Sequence, residues 1–307
     1  MFSAAANPLH RPSDEAILDR LLSDDPALRA AWAAGFIDAE GYFGVMGRVN
    51  ARRPVIEVGQ VGCRAALVLL EQTLGGQIRR RTARVDLWRL EGRAAISEAV
   101  PQIVAHLTVK RQEALAVRDF ALAMRPRGSR GLPRTLTQRE RSLRFDAEAS
   151  LRDAKTSPPI SAPTFPVLSE ASHADIAWAA GFVDGEGYLG TGGRGASPLL
   201  EVSQRATDAP LRRLQALFGG SLFRAGRSPR WVWKVNSAPQ MRIALALLLP
   251  HLMVKAEQAE ALLGYASTFN ARGATATDEV TRALRSQMAD CLTAARKGRR
   301  QWLPSIA

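Results

Sequence analysis

Hydrophobic and polar positions alternate along the chain in a pattern that predicts one series of elements, present twice. Alanine-rich or leucine-rich runs with helical spacing predict helices, and short alternating runs predict strands. The predicted elements of the first copy are a helix over residues 30–38, strands over 42–50 and 54–61, a helix over 65–74, strands over 77–82 and 85–90, and one long helix over 94–124. The order in each copy is therefore αββαββα.

Short matching segments show that the second copy is a duplication of the first. WAAGFIDAEGYFGV begins at Trp32 and WAAGFVDGEGYLGT begins at Trp178, which is an offset of 146 residues. PVIEVGQ ends at Gln60 and PLLEVSQ ends at Gln204, an offset of 144, and three further pairs of segments keep the offset between 144 and 146. A register that holds within two residues over five landmarks indicates a tandem repeat of a domain of about 100 residues.

The duplication divides the chain into two halves and two connecting regions. The first half covers residues 27–125 and the second covers 171–272, with a linker over 126–170 that contains one helix at 137–155. Residues 273–307 form a C-terminal helix at 277–297 and a basic tail. We expect an α+β fold with pseudo-two-fold symmetry. In this fold two four-stranded antiparallel sheets form a saddle, and the first helices of the two halves pack together at the centre.

Small residues on the first helix of each half favour close packing of these two helices. Gly35 and Gly181 each follow an alanine by four residues, so two backbones can approach along that face. Glu40 and Glu186 would then meet at the helix ends. Adjacent carboxylates repel unless a cation lies between them, and Mg²⁺ is a hard cation that prefers oxygen ligands. The sequence therefore predicts a divalent metal site at these two glutamates, suited to phosphodiester hydrolysis.

The amino-acid composition indicates what kind of molecule the protein binds. The chain has 42 Lys+Arg against 29 Asp+Glu, a net charge of +13 and a pI near 10.9, which favours a polyanion, most often nucleic acid. Two cysteines, Cys63 and Cys291, in no CxxC pair argue against a disulfide framework or a structural zinc site. No secretory signal or membrane-spanning apolar run is present, so we expect a soluble intracellular protein of the cytoplasm, the nucleoid or an organelle.

The segments AAGFIDAEG, residues 33–41, and AAGFVDGEG, residues 179–187, resemble the signature of the LAGLIDADG homing endonucleases in their monomeric, two-motif form. The resemblance extends over residues 27–297, because each motif is followed at the same offsets by an E-V-x-Q strand and an H-L-x-V-K segment. It implies a monomer in which each sheet contacts half of a double-stranded DNA site. It also implies cleavage of both strands of a long, degenerate target, leaving 3′ overhangs.

The resemblance also assigns roles to individual residues. The penultimate acid of the motif is the metal ligand of the family, and this position corresponds to Glu40 and Glu186. The glutamine that ends the second strand and the basic residue of the active site correspond to Gln60, Gln204, Lys110 and Lys255. These six residues are thus implied to form two active sites with Mg²⁺, for which Mn²⁺ or Ca²⁺ could substitute.

Two further repeated pairs have alternative interpretations. Asp38 and Asp184 could be additional metal ligands, but we favour a structural role in which they accept hydrogen bonds near the helix junction. Trp88 and Trp233 could stack on bases, but we favour a position beneath the sheet, where they fill space.

The resemblance further implies that strand residues alternating with the motif glutamates face the DNA groove, together with Arg79 and Arg81 on one face of the third strand. These residues are Tyr42, Met46, Arg48, Asn50, Arg79, Arg81, Tyr188 and Arg194. Arginines in predicted turns are expected to contact phosphates, namely Arg52, Arg53, Arg227 and Arg230. The counterparts of Arg79 and Arg81 are Phe223 and Ala225, so we expect the two halves to prefer different bases.

Two other functions remain open on the same scaffold. A maturase would bind intron RNA and assist its splicing, and a transcriptional regulator would bind DNA without cutting it. The retained motif acids favour the endonuclease over the regulator and argue against a pure maturase. A protein with both endonuclease and maturase activity remains compatible with the sequence.

Overall fold

Each half of the chain has its helices and strands in the same order. The computed structural model describes residues 25–48, 51–126, 135–156, 164–192, 197–226, 230–269 and 278–296. The first half and the linker contain α1 (Pro26–Glu40), β1 (Gly41–Met46), β2 (Arg53–Val61), α2 (Arg64–Leu74), β3 (Gln77–Arg80), β4 (Val85–Glu91), α3 (Arg93–Ile103), α4 (Arg111–Leu122) and α5 (Gln138–Thr156). The second half and the C-terminal region contain α6 (His173–Glu186), β5 (Gly187–Thr191), β6 (Pro198–Gln204), α7 (Ala209–Phe218), β7 (Ser221–Ala225), β8 (Arg230–Val235), α8 (Ala238–Leu248), α9 (Ala256–Ser267) and α10 (Glu279–Arg296).

Two four-stranded antiparallel sheets are present, as the repeat predicts. Their strand orders are β1-β2-β4-β3 and β5-β6-β8-β7. Gly41 pairs with Val58, and Gly187 pairs with Val202, so the two sheets also share their register. The α+β class and the duplicated topology are therefore confirmed.

The tryptophans of the fourth strands lie beneath the sheets rather than on their open faces. Trp88 and Trp233 have 0% of their surface exposed. The indole of Trp88 donates to the carbonyl oxygen of Gly75 at 2.9 Å, and that of Trp233 donates to Gly219 at 2.7 Å. Both bonds tie the sheet to the end of the helix that precedes it. The predicted packing role of the two tryptophans is confirmed.

Helices α1 and α6 pack back to back at the centre of the molecule. A Cβ on Gly35 would overlap the carbonyl oxygen of Trp178, and a Cβ on Gly181 would overlap that of Trp32. Only glycine allows this approach at either position. The last turns of both helices remain buried as far as Asp38 and Asp184, so one hydrophobic core continues across the two halves.

Local sequence signals set the ends of these two helices. Asp25 accepts from the amide of Ala27 at 2.8 Å and Pro26 follows it, which is a favourable helix start. Ser172 and Asp175 form a reciprocal capping box at the start of α6. At the other end, the extended backbone of the glycine after each motif glutamate turns the chain directly into a strand.

The prediction of one long helix over residues 94–124 is wrong. The chain forms α3 and α4, which are separated by residues 104–110, and the second half likewise separates α8 from α9. The amides of Thr108, Val109 and Lys110 donate to a side chain elsewhere instead of continuing a helix. The sequence pattern did not reveal this break, because the buried Leu107 lies within it and continues the helical spacing of apolar residues.

Two strands are shorter than predicted. The strand expected over residues 42–50 ends at Met46, and the strand expected over 77–82 ends at Arg80. Arg81 therefore lies in the β3–β4 turn, where its amide donates to the carbonyl oxygen of Val85 at 2.9 Å. The expectation that Arg81 shares a strand face with Arg79 is wrong for this reason.

The two helices outside the repeats pack on the last helix of each half. Helix α5 lies against α4, and α10 lies against α9. Among the helices of the described ranges, none has the length and apolar character needed to cross a bilayer.

Candidate active site between the two halves

The ends of α1 and α6 bring the two motif glutamates together in the cleft between the sheets. A Cβ on Gly185 would overlap the Cβ of Ala39 and lie 3.1 Å from Cγ of Glu40, so the last turns touch. Glu40 and Glu186 follow directly, and both side chains are exposed. The juxtaposition expected from the helix packing is therefore present.

Charge at this junction perturbs the acid of the second half. Partial burial raises the pKa of the Glu186 carboxyl, and the negative charge of Glu40 raises it further. A hydrogen bond with the Gln204 side chain and the positive charges of Lys110 and Lys255 act in the opposite direction. The two carboxylates are thus close enough to repel each other, and one lysine from each half offsets that repulsion.

Both lysines lie beneath the helix ends that carry the glutamates. Their ammonium groups donate to carbonyl oxygens of the last helical turn, at the negative end of the helix dipole. These oxygens belong to Ile37 at 2.9 Å and Ala39 at 3.3 Å for Lys110, and to Val183 at 2.8 Å, Asp184 at 2.7 Å and Gly185 at 2.9 Å for Lys255. Each lysine therefore closes the C-terminus of its own motif helix.

Burial lowers the pKa of both ammonium groups. The opposing acids of Lys110 are Asp38, Glu113, Glu40 and Glu186, and those of Lys255 are Asp184, Glu40 and Glu186. Each lysine thus interacts electrostatically with both motif glutamates, including the one from the other half. A half-buried cation of lowered pKa at a cleft is a common feature of active sites.

The two glutamines occupy equivalent positions in the sheets. Gln204 ends β6, two residues after Val202, and its side chain bonds to Glu186. Gln60 lies two residues after Val58 in β2, which is the same register position in the first sheet. Five of the six predicted site residues therefore interact at the junction of α1 and α6, and Gln60 is placed by its register position alone.

Asp38 and Asp184 are buried acceptors of hydrogen bonds. Only 2% of Asp38 and 1% of Asp184 is exposed. The amide donors to Asp38 are Thr108 at 2.7 Å, Val109 at 3.0 Å and Lys110 at 2.9 Å, and those to Asp184 are Met253 at 2.7 Å, Val254 at 2.9 Å and Lys255 at 2.9 Å. Each carboxylate thus organises the turn that carries its lysine, which agrees with the structural interpretation.

A tryptophan from the opposite half completes each of these carboxylate sites. The indole of Trp178 donates to Asp38 at 3.1 Å, and that of Trp32 donates to Asp184 at 3.1 Å. Burial raises the pKa of both aspartates, that of Asp184 to about 6, and the hydrogen bonds oppose this shift. Sequence reasoning missed this exchange, since an indole in an apolar helix looks like an ordinary core residue.

Most of the predicted DNA contacts are exposed on or beside the sheets. The exposed ones are Tyr42, Arg48, Arg53, Arg79, Arg81, Tyr188 and Arg230. Met46 is half-buried, and its sulfur accepts from the Arg89 guanidinium at 2.9 Å. Arg52 is paired with Glu148 of α5. Asn50, Arg194 and Arg227 lie outside the described residues.

Tyr42 and Tyr188 lie two residues beyond the motif glutamates, and their rings occupy the space that the following glycines leave open. A Cβ on Gly44 would lie 2.7 Å from Cζ of Tyr42, and one on Gly190 would lie 2.8 Å from Cζ of Tyr188. Each ring therefore lies over its strand. The ammonium of Lys155, in the last turn of α5, lies 4.0 Å from the centroid of the Tyr42 ring, so the linker helix reaches the edge of the first site.

One charged pair on the open face of the first sheet was missed. Arg89 and Glu57 form an ion pair across β2 and β4, with Nε 2.7 Å from Oε1. The corresponding residues of the second sheet are Lys234 and Glu201, which are cross-strand neighbours. The glutamate of the E-V-x-Q strand could have led to both pairs, because a half-buried acid in a sheet needs a basic partner on the next strand.

The described residues contain no group of three or more His, Cys, Asp or Glu side chains that could hold a metal. The candidate metal ligands remain the two motif glutamates. Carboxylate oxygens are the donors that hard divalent cations prefer, and the mutual repulsion of the pair would be relieved by such a cation.

Comparison with solved structures identifies the fold. The LAGLIDADG homing endonuclease I-GzeII in complex with its DNA target is 16% identical, with a TM-score of 0.67 over 89% of this chain and 100% of that one. I-SmaMI bound to cleaved DNA is 18% identical, with a TM-score of 0.62 over 91% and 98%. I-SmaMI bound to uncleaved DNA with calcium ions is 20% identical, with a TM-score of 0.59 over 87% and 98%. No family model and no curated protein matches the sequence. The chain thus has the duplicated, two-sheet fold of the LAGLIDADG homing endonucleases.

Proposed function

We propose that the protein is a metal-dependent, site-specific endonuclease that cuts both strands of a long, degenerate DNA duplex and leaves 3′ overhangs. The observation that carries the proposal is the meeting of Glu40 and Glu186 at the ends of two back-to-back helices, with a half-buried lysine from each half beside them. The fold shared with I-GzeII and I-SmaMI, both seen bound to DNA, supports the same activity.

Glu40 and Glu186 would hold the divalent cation, with Mg²⁺ as the natural occupant and Mn²⁺ or Ca²⁺ as substitutes. When bound, it would supply Lewis acidity that activates water and stabilises charge on the phosphate and the leaving oxygen. The structure of I-SmaMI with calcium ions supports divalent metal use in this fold.

The protein's own groups then have complementary roles. Lys110 and Lys255 place positive charge beside the glutamates, where a phosphate in the cleft would develop negative charge during the reaction. Gln204 bonds to Glu186 and holds its carboxylate in one orientation. Gln60 has the matching register position, and we assign it the same role for the first site.

The open faces of the two sheets supply the binding surface for duplex DNA. One chain contains both halves, so a monomer can cover both halves of a target. The exposed Arg79 of the first sheet corresponds to Phe223 in the second, which favours a target whose two half-sites differ. A net charge of +13 further predicts binding that weakens steeply with salt, because phosphate contacts release counterions.

The test begins with selection of a target. A library of randomised duplexes is incubated with the protein and Mg²⁺, and the cut ends are captured and sequenced. A plasmid that carries the recovered site is then treated with the protein in Mg²⁺ or in EDTA. We expect linear product with 3′ overhangs in Mg²⁺ only.

Replacement of the glutamates tests the site itself. The double variant Glu40→Gln and Glu186→Gln should retain target binding but lose cleavage by at least about 100-fold, since it loses both metal ligands. Glu98→Gln, on the exposed face of α3, is the matched control and should cut as the wild type does. Full cleavage by the double variant would exclude the proposed site.

The alternative functions give different outcomes in the same experiment. Tight, sequence-specific binding without cleavage in Mg²⁺ or Mn²⁺ would indicate a regulator. Stimulated splicing of an intron RNA would indicate a maturase, and splicing together with cleavage would indicate both activities.

A further inference from the structure

A buried arginine of the second half has no counterpart in the first. Arg213 lies in α7 and is only 7% exposed. Helices α2 and α7 both end at a pair of glycines whose first members, Gly75 and Gly219, differ by 144 residues, so the counterpart of Arg213 is Leu69. Leu69 is buried but apolar. The repeat is therefore broken at an interior position, where a charged group is costly unless it is fully bonded.

The guanidinium of Arg213 reaches across to the first half. It donates to the carbonyl oxygen of His106 and to Oγ1 of Thr108, both at 2.9 Å. These residues belong to the segment 104–110 that separates α3 from α4 and carries Lys110, which we call the Lys110 turn. The corresponding segment of the second half, residues 249–255, is the Lys255 turn.

Arg213 is anchored within its own half on two sides. It donates to Oδ1 of Asp175, in the first turn of α6, at 2.8 Å. Its Cζ atom lies 4.0 Å from the centroid of the Trp178 ring. Burial lowers the pKa of the guanidinium while Asp175 raises it, and arginine stays protonated in proteins. A guanidinium group that is held by a carboxylate and by an aromatic ring is a rigid hydrogen-bond donor.

These contacts enclose the Lys110 turn from two sides. Trp178, which lies against Arg213, donates to Asp38, and Asp38 accepts the amides of Thr108 and Lys110. Arg213 binds the same turn through the other side of Thr108.

The Lys255 turn keeps only one of these two supports. Asp184 accepts its amides and the indole of Trp32, as Asp38 does in the first half. The side chain of Leu69, however, has no group that could donate a hydrogen bond. The residue that matches Thr108 is Met253, which has no hydroxyl to accept one.

We propose that Arg213 is a positioning residue of the first active site, through which the second half holds the Lys110 turn. The first site then depends on two side chains of the other half, Trp178 and Arg213, whereas in the described residues the second site depends on Trp32 alone. The cleavage readout of this proposal rests on the proposed endonuclease function, but its structural readout does not.

Hydrogen exchange tests the positioning directly. In the full-length protein without DNA, Arg213→Leu installs the residue of the first half. The amides of Thr108, Val109 and Lys110 should then exchange about 10-fold faster, while those of the Lys255 turn change less than about twofold. Equal loosening of both turns, or of neither, would overturn the proposal. Arg212→Leu, at an exposed neighbour bonded to Asp208, is the control and should leave both turns unchanged.

Strand-resolved cleavage tests the consequence for the reaction. Lys110→Met and Lys255→Met first identify which strand of a selected duplex each site cuts. Arg213→Leu should then slow the strand of the Lys110 site by about 10-fold or more, and the other strand by less than about twofold. Arg213→Lys keeps the charge and should retain more of the rate than Arg213→Leu. Equal slowing of both strands would mean that Arg213 only stabilises the fold.

If the Arg213→Leu variant does not fold, a milder substitution can be measured instead. Thr108→Val keeps the shape of the side chain but removes the Oγ1 acceptor, and it should loosen the Lys110 turn in the same direction. Unchanged exchange in this variant would overturn the proposal. If the wild-type protein cuts no duplex, the endonuclease function fails, while the exchange measurements still decide the role of Arg213.

Discussion

The two halves of the molecule differ least at the site and most around it. Gly35 and Gly181 meet the opposite helix in the same way, and Asp38 and Asp184 organise the same kind of turn. Away from these positions the repeat has diverged. The comparison shows that few residue types fit the central contacts, because each contact is either a close backbone approach or a buried carboxylate with several hydrogen-bond donors.

The junction also contains one place where the two halves cannot both carry alanine. Ala39 and Gly185 are equivalent, and a Cβ on Gly185 would overlap the Cβ of Ala39. A symmetric dimer would have to use glycine at both positions. A single chain with two halves can use alanine on one side, which is the better helix former.

The open faces of the sheets differ in character as well. The first sheet presents Arg79 together with the Arg89–Glu57 pair. The second presents Phe223, whose ring centroid lies 5.1 Å from the ammonium of Lys234. A surface with fewer arginines and one exposed aromatic ring offers different contacts to a ligand. The two halves are thus alike where they meet each other and unlike where they face outward.

The largest expected effect is that of replacing either of the two interface glycines, which make equivalent contacts. Gly35→Ala and Gly181→Ala should each lower the free energy of unfolding by about 3 kcal/mol, because the helices must separate to admit a methyl group. Urea unfolding of the two variants would measure this. Gly59→Ala is the control, since its Cβ would meet only Val85 Cγ1, at an ordinary 3.8 Å. A loss of unfolding free energy in only one of the two variants would show that the two glycine contacts are not equivalent.

The exchanged tryptophans should give a smaller effect that separates the halves. Trp32→Phe and Trp178→Phe each remove one hydrogen bond to a buried carboxylate, which costs about 2 kcal/mol. Trp178→Phe should cost more, because the indole also stacks against Arg213. In an Arg213→Leu background this excess should disappear in a double-mutant cycle of unfolding free energies. A larger cost for Trp32→Phe would contradict the asymmetry.

Much of this architecture could be predicted from the sequence. Alternating patterns located the four strands of the first half, and the repeat offsets placed their counterparts in the second half. The meeting of Glu40 and Glu186 followed from small residues at helical spacing, because a close helix crossing leaves few ways to arrange the helix ends. These features depend on local pattern and on the repeat, both of which can be read along the chain.

The remaining features depend on contacts between distant residues. The indole of Trp178 and the carboxylate of Asp38 are 140 residues apart, and no local pattern links them. Leu107 concealed the break that this carboxylate stabilises, because its burial preserves helical spacing. Arg213 looked like one of many arginines, since only the fold reveals that it is buried.

The smallest expected effect concerns Ala39 and Gly185, the pair that cannot both be alanine. Gly185→Ala alone should lower the free energy of unfolding by about 1–2 kcal/mol, because its methyl group would overlap that of Ala39 and press on Glu40. Ala39→Gly alone should cost about 0.5–1 kcal/mol through the flexibility of glycine in a helix. Combined, the two changes move the single methyl group from one half to the other, and stability should return to within about 0.5 kcal/mol of the wild type. Strictly additive losses in urea unfolding would mean that the two helix ends do not touch, and the glutamates that follow them would then not form one site.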